Sequence, residues 1–69
     1  MQMLRINGNE RRFPAGIPQT LTKLLEQLNI NKATVVAEID GQIVERENFE
    51  HTRLRNGQTI ELVRFVGGG

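Results

Sequence analysis

The chain has 69 residues and no cysteine, and its nine Lys and Arg residues against eight Asp and Glu residues give a net charge of +1. A chain of this length forms one small domain, and without cysteine it has no disulfides, thiolate metal sites or thiol chemistry. The balanced charge and the absence of a long apolar run or a basic and apolar leader argue against nucleic-acid and membrane binding. We therefore expect a cytoplasmic protein with no nucleic-acid partner and no membrane partner.

A β-hairpin followed by a helix is predicted for the first half of the chain. Leu4 and Ile6 alternate with Arg5, and Asn7-Gly8 supplies the positive φ angles that a tight hairpin turn needs. Thr20 is the expected N-cap of a helix that stops at Asn29. The helix has leucines at spacing i, i+3, i+4 and i+7, which form one apolar stripe: Leu21, Leu24, Leu25 and Leu28.

Period-two alternation returns in the second half. The apolar residues of a predicted third strand share one face: Val35, Ala37 and Ile39. Asp40-Gly41 offers a second tight turn into a fourth strand. Residues 45–54 have no clean period and predict a loop with a short helical turn. Asn56-Gly57 then opens a last strand over residues 58–66.

The two faces of that last strand differ. Val63 and Phe65 point to one face, and Arg64 interrupts the apolar residues of the other: Ile60, Leu62 and Val66. One helix covers only one face of a four- to five-stranded sheet, so we predict an α+β domain whose other sheet face lies in solvent or meets a partner. Val63, Phe65 and Val66 are the candidate partner-binding residues. The alternative, with Phe65 in the core and Arg64 solvated, stays open.

Side-chain chemistry has little support in the sequence. A helical turn would bring His51 close to Glu47 and Glu50, but a metal site needs a closed and supported geometry, so a solvated surface turn is the favoured interpretation. Glu45 and Glu47 are interpreted as solubilising residues. We expect no catalytic side chain, no bound metal and no enzyme activity.

The run Gly67, Gly68 and Gly69 closes the chain and is costly to order. A phosphate-binding loop would lead into a helix N-terminus, which this run does not do. The remaining reactive group is the α-carboxylate of Gly69, which a partner enzyme can activate as an acyl-adenylate inside a narrow, water-excluding site. The alternative is a frayed end or a remnant of expression. We place the folded domain at residues 1–65 and a flexible tail at residues 66–69.

Three segments resemble the ThiS family, the bacterial sulfur carrier proteins of thiamine biosynthesis: TLTKLLEQL, VVAEIDGQIVER and LRNGQTIELVRFVGGG. The resemblance spans nearly the whole chain. It implies the ubiquitin-like β-grasp fold, in which a mixed sheet wraps around one helix and the first and last strands are adjacent and parallel. The family often has Pro-Arg where this chain has Glu45-Arg46, and Gly-Asp where it has Gly57-Gln58.

The resemblance also implies a mechanism. In that family a ubiquitin-activating-type adenylyltransferase uses ATP to adenylate the C-terminal glycine. The glycine becomes a thiocarboxylate with sulfur that a cysteine desulfurase supplies, and thiazole synthase receives the sulfur. By position, Gly68 and Gly69 match the family's terminal pair, with Gly69 as the reacting residue, and the chain is a co-substrate with no cofactor of its own. Two alternatives stay open: a carrier such as the small subunit of molybdopterin synthase, and a β-grasp interaction module or protein modifier.

Overall fold

The computed structural model describes residues 2–65. Within these residues lie five strands and one α-helix: β1 (Gln2–Ile6), β2 (Asn9–Phe13), α1 (Leu21–Gln27), β3 (Val35–Ile39), β4 (Gln42–Val44) and β5 (Thr59–Arg64). A short 3-10 helix, Lys32–Thr34, precedes β3, and a longer one, Arg46–His51, lies between β4 and β5. No helix among residues 2–65 is long and apolar enough to cross a membrane.

The strands form one mixed sheet in the order β2-β1-β5-β3-β4. β1 and β5 are parallel, and the other neighbouring strands are antiparallel. Both hairpins, the single α-helix and the parallel pairing of the first and last strands were predicted, and the structure confirms them. The last strand, β5, lies in the middle of the sheet between β1 and β3. Both of its edges are therefore paired with other strands.

Two-residue turns join β1 to β2 and β3 to β4. Asn7 (φ 50) and Gly8 (φ 83) adopt left-handed backbone conformations, and so do Asp40 (φ 50) and Gly41 (φ 85). Positive φ at both central positions is typical of a type I′ turn, whose twist matches that of the flanking strands. The turns therefore set the register of both hairpins, with Ile6 opposite Asn9 and Ile39 opposite Gln42.

Helix α1 begins and ends where the sequence predicts. The side chain of Thr20 accepts a hydrogen bond from the backbone N–H of Lys23 at 3.2 Å, which caps the N-terminus. At the other end Asn29 has φ 60, and the N–H of Ile30 donates to the carbonyl of Leu25 at 2.9 Å. This is the Schellman pattern, with asparagine in the place that glycine usually takes.

The core lies between α1 and one face of the sheet. The helix contributes Leu21, Leu24 and Leu25, and the strands contribute Leu4, Val35, Ala37, Ile39, Ile60 and Leu62. Phe49 is also fully buried, although the sequence around it has no period that marks it as a core residue. Phe49 lies on the longer 3-10 helix. Directly after this helix, the carbonyl of Thr52 accepts a hydrogen bond from the N–H of Leu21 at 3.0 Å, which holds the segment next to the start of α1.

Candidate functional site

The outer face of the sheet, opposite α1, carries an exposed apolar surface. Among residues 2–65, four large hydrophobic side chains are exposed, and they lie on β3, β4 and β5 and directly after β5: Val36 (42%), Ile43 (66%), Val63 (58%) and Phe65 (46%). We call these four residues the outer patch. Single exposed apolar residues are ordinary, whereas a cluster of them on one face is typical of surfaces that bind a partner.

Strand pairing makes the outer patch continuous. Val36 lies directly opposite Val63 in the β3–β5 register, at a spacing at which side chains touch. Ile43 on β4 lies opposite Glu38 of β3, and Glu38 is two residues from Val36 along β3. Beyond the end of β5, the N–H of Phe65 still donates to the carbonyl of Thr34 at 3.0 Å, so Phe65 is held beside the other three.

Phe65 forms one wall of a shallow groove of about 310 Å³ at this end of the sheet. Val36, Ile43, Val44 and the buried Phe49 line the groove with it. Arg46 also lines the groove, and its guanidinium donates to the carbonyl of Ala33 at 3.5 Å. The groove gives an apolar side chain of a partner a place beside an exposed aromatic ring.

The two faces of β5 are those that the sequence predicts. Val63 and Phe65 are exposed on the outer side, so the alternative with Phe65 in the core is wrong. Arg64 is also exposed, on the helix side, where it lines an open groove of about 420 Å³ with Leu28 and Ile30. A charged residue is accommodated on this face because its side chain is exposed to solvent.

Asn7 holds β5 in place just before the outer patch begins. Its side-chain oxygen accepts from the N–H of Leu62 at 2.7 Å, and its side-chain nitrogen donates to the carbonyl of Leu62 at 3.2 Å. Its backbone N–H donates to the carbonyl of Ile60 at 2.9 Å. Strand β1 ends at Ile6, and the carboxamide of Asn7 extends the hydrogen bonding between β1 and β5 by one more residue pair. The sequence marks Asn7 only as a turn residue.

The other predicted site residues divide into two groups. Val66, Gly67, Gly68 and Gly69 lie outside the described residues, and their roles stay predictions. His51 lies 3.6 Å from Glu50, and both side chains are largely exposed. Among residues 2–65, no three His, Cys, Asp or Glu side chains are grouped as metal ligands would be.

Comparisons with known proteins decide the family. The model of the ThiS family matches residues 4–69. The chain is 30% identical over 67 residues to the sulfur carrier protein ThiS of Bacillus subtilis (strain 168), covering 97% of this chain and 100% of that protein. The chain belongs to the ThiS family. The resemblance seen in its sequence is therefore confirmed.

Two further matches extend the comparison. The crystal structure of the thiamine biosynthesis protein (ThiS) from Geobacter metallireducens superposes with a TM-score of 0.82 at 32% identity, covering 97% of this chain and 99% of that one. This match confirms the ubiquitin-like β-grasp fold. The chain is also 35% identical over 66 residues to a thiazole synthase of Paramagnetospirillum magneticum, covering 96% of this chain but only 20% of that longer protein.

Proposed function

We propose that this ThiS-family chain is a sulfur carrier protein of thiamine biosynthesis, with the α-carboxylate of Gly69 as its reacting group. The observation that carries the proposal is the match to the Bacillus subtilis sulfur carrier protein, which extends over nearly the full length of both chains. The family match runs to residue 69 and so includes the terminal glycines. The chain acts as a co-substrate and contributes no catalytic side chain.

The chemistry follows from the poor reactivity of a carboxylate. An oxygen of the Gly69 carboxylate attacks the α-phosphorus of ATP in the active site of a ubiquitin-activating-type adenylyltransferase, and pyrophosphate leaves. A desulfurase transfers sulfur from cysteine to a cysteine persulfide, whose terminal sulfur then attacks the acyl carbon and displaces AMP, which gives an acyl disulfide. A thiol attacks the other sulfur of that disulfide, forms a new disulfide with it and releases the glycine as a thiocarboxylate. Glycine residues suit this step because they enter a narrow active site without side-chain clashes. ATP belongs to the partner enzyme, so the carrier needs no cofactor.

Recognition must come from the folded residues rather than from the glycines. Ordering each backbone residue costs about 1–2 kcal/mol, so a terminal segment of glycines gives little affinity by itself. The outer patch offers what the glycines lack, since Val63 and Phe65 are exposed on the strand that leads to the terminus. An exposed aromatic ring beside a groove is a typical interface anchor. We therefore assign docking to the outer patch and reaction to Gly69, and Val66, the next residue along the chain, stays a predicted binding residue.

Thiazole synthase is the proposed acceptor of the sulfur. A protein named thiazole synthase contains a segment similar to this chain within its own sequence. A carrier domain and its acceptor gain in effective concentration when they are joined in one polypeptide, so this match supports a functional pairing of the two.

The test is intact-mass spectrometry of the purified chain after incubation with ATP, the adenylating enzyme and a sulfur donor. A gain in mass equal to the exchange of one oxygen for sulfur is expected, and it should disappear in a chain that lacks Gly69. Transfer of the sulfur to thiazole synthase then identifies the pathway. A ladder of conjugates with other proteins would instead support a protein modifier, and transfer only to a molybdopterin synthase would support the other carrier class.

A further inference from the structure

Two asparagine side chains complete the parallel pairing of β1 with β5, one at each end. Where the pairing begins, the side-chain oxygen of Asn56 accepts from the N–H of Met3 at 2.8 Å. Where it ends, the carboxamide of Asn7 binds both the N–H and the carbonyl of Leu62. Each asparagine precedes a glycine with positive φ. The same chemistry thus holds the two ends of one strand pair.

The terminal segment leaves the sheet from the end at Asn7. The register of β1 with β5 stops at Ile6 opposite Ile60. The backbone N–H and carbonyl of Leu62 point to the edge of β5 that β1 has left, and there the carboxamide of Asn7 binds them. Within residues 2–65, these are the last hydrogen bonds to β5 on that edge.

Strand β3 holds the other edge of β5 independently of Asn7. Val63 lies opposite Val36, and the N–H of Phe65 donates to the carbonyl of Thr34 at 3.0 Å. The outer patch therefore keeps its neighbours when Asn7 is changed. The contribution of Asn7 is to hold the end of β5 from the second side, because a strand end that is bonded on one edge only opens and tilts more easily.

We propose that Asn7 is a positioning residue for the reaction of Gly69, because it fixes the direction in which the end of β5 releases the terminal segment. This inference rests on the proposed function. Residues 66–69 follow Phe65, and an extended segment of this length reaches about 13 Å. A segment this short has little slack, so a tilt at the end of β5 also displaces the carboxylate of Gly69. A displacement of about 1 Å can lower a rate about 100-fold.

A purely structural role of Asn7 predicts a different result. Loss of the carboxamide of Asn7 or of Asn56 weakens the same strand pair, so both substitutions should lower the melting temperature. Asn7 alone acts at the end from which the reacting terminus leaves, so its loss should slow the reaction of the docked chain. In kinetic terms this is a fall in kcat with KM unchanged, whereas a loss of docking would raise KM.

The test is ATP–pyrophosphate exchange with the cognate adenylating enzyme, measured against the concentration of the full chain. Asn7→Gly keeps the positive φ of the turn and removes the carboxamide. Asn56→Gly is the matched control, because it makes the same replacement at the other end of the strand pair. Asn7→Asp still accepts from the N–H of Leu62 but cannot donate to its carbonyl, and it serves as the test if Asn7→Gly does not fold. Circular dichroism at the assay temperature verifies that each variant is folded.

Asn7→Gly is expected to lower kcat at least about tenfold with KM within about twofold, and Asn7→Asp should lower kcat at least about threefold. Asn56→Gly should keep both constants within about twofold of those of the unmodified chain, although its melting temperature falls. An unchanged kcat in the folded variants at Asn7, an equal fall in Asn56→Gly, or a rise in KM alone would each overturn the proposal. Failure of the proposed function itself would appear differently, as an unmodified chain that gives no exchange.

Discussion

The two faces of the sheet are built from alternate residues of the same strands, yet they have opposite roles. On β5, Ile60 and Leu62 are buried under α1, whereas Val63 and Phe65 are exposed on the other side. A single helix covers only one face, so Val63 and Phe65 lie on the face that the helix leaves uncovered. The inner face therefore accounts for stability, and the outer face is available for recognition.

The faces also differ in charge. Among residues 2–65 no charged or polar residue is buried, so the residues that the inner face buries are all hydrophobic. The outer face carries the opposed carboxylates of Glu38 and Glu61 beside its apolar side chains. A surface that combines exposed hydrophobic residues with charged ones has the composition of an interface rather than that of a core.

Truncation of the inner face should have the largest effect. Leu24 is fully buried on α1, so Leu24→Ala should lower the free energy of unfolding by about 2–5 kcal/mol. A domain of this size has little more stability than that, so thermal unfolding should shift by many degrees. Val63→Ala on the outer face is the matched control and should stay within about 0.5 kcal/mol of the parent. Equal melting temperatures for the two variants would erase the proposed difference between the faces.

The side chain of Asn7 is hydrogen-bonded to the backbone of Leu62, the last buried residue of β5. The next residue, Val63, is exposed on the outer face. Asn7→Gly keeps the positive φ of the turn and removes both side-chain hydrogen bonds to Leu62. We expect a loss of about 1–3 kcal/mol in unfolding free energy, since a part-buried N–H and carbonyl lose their partner. Chemical denaturation measures it.

Asn29→Gly is the control for that variant. Asn29 has φ 60 and, within residues 2–65, no side-chain hydrogen bond to β5. It should change stability little, because glycine accepts the same backbone conformation. Similar losses for both variants would mean that the turn conformation, and not the bond to Leu62, determines the stability of β5.

Substitution on the outer face should affect binding instead of folding. Phe65→Glu should leave circular dichroism and melting unchanged, because Phe65 is exposed. It should weaken binding to the adenylating enzyme and to thiazole synthase by at least about tenfold, or 1.4 kcal/mol. Arg64→Gln, the neighbouring substitution on the other side of the strand, should matter less. Intact folding with unchanged affinity would remove Phe65 from the interface.

Much of this fold follows from local sequence signals. The leucine stripe predicts α1, the Asn-Gly and Asp-Gly pairs predict the two hairpins, and alternation in the last strand predicts which residues face outward. Each signal depends on residues a few positions apart. The parallel pairing of β1 with β5 came from the family resemblance, because no local pattern brings together the two ends of a chain.

Other features are not visible in the sequence for the same reason. Phe49 lies in a segment without a period, and its burial depends on the packing of the longer 3-10 helix against the core. The bonds of Asn7 reach a residue 55 positions away. The opposition of Glu38 and Glu61 appears only once the register of β3 and β5 is known. The terminal glycines by themselves predict only that the terminus enters a narrow active site of a partner. The prediction of sulfur chemistry depends on the resemblance to the family.

The division between a recognising body and a reacting terminus is tested most directly by ATP–pyrophosphate exchange with the cognate adenylating enzyme, on the chain with and without Gly69. Deletion of Gly69 moves the terminal carboxylate by about 3.5 Å, which takes it out of its reacting position. We predict that exchange is abolished while the melting temperature stays unchanged and the shortened chain still competes with the full chain for the enzyme. Normal exchange by the chain that lacks Gly69 would contradict the assignment of the chemistry to this residue.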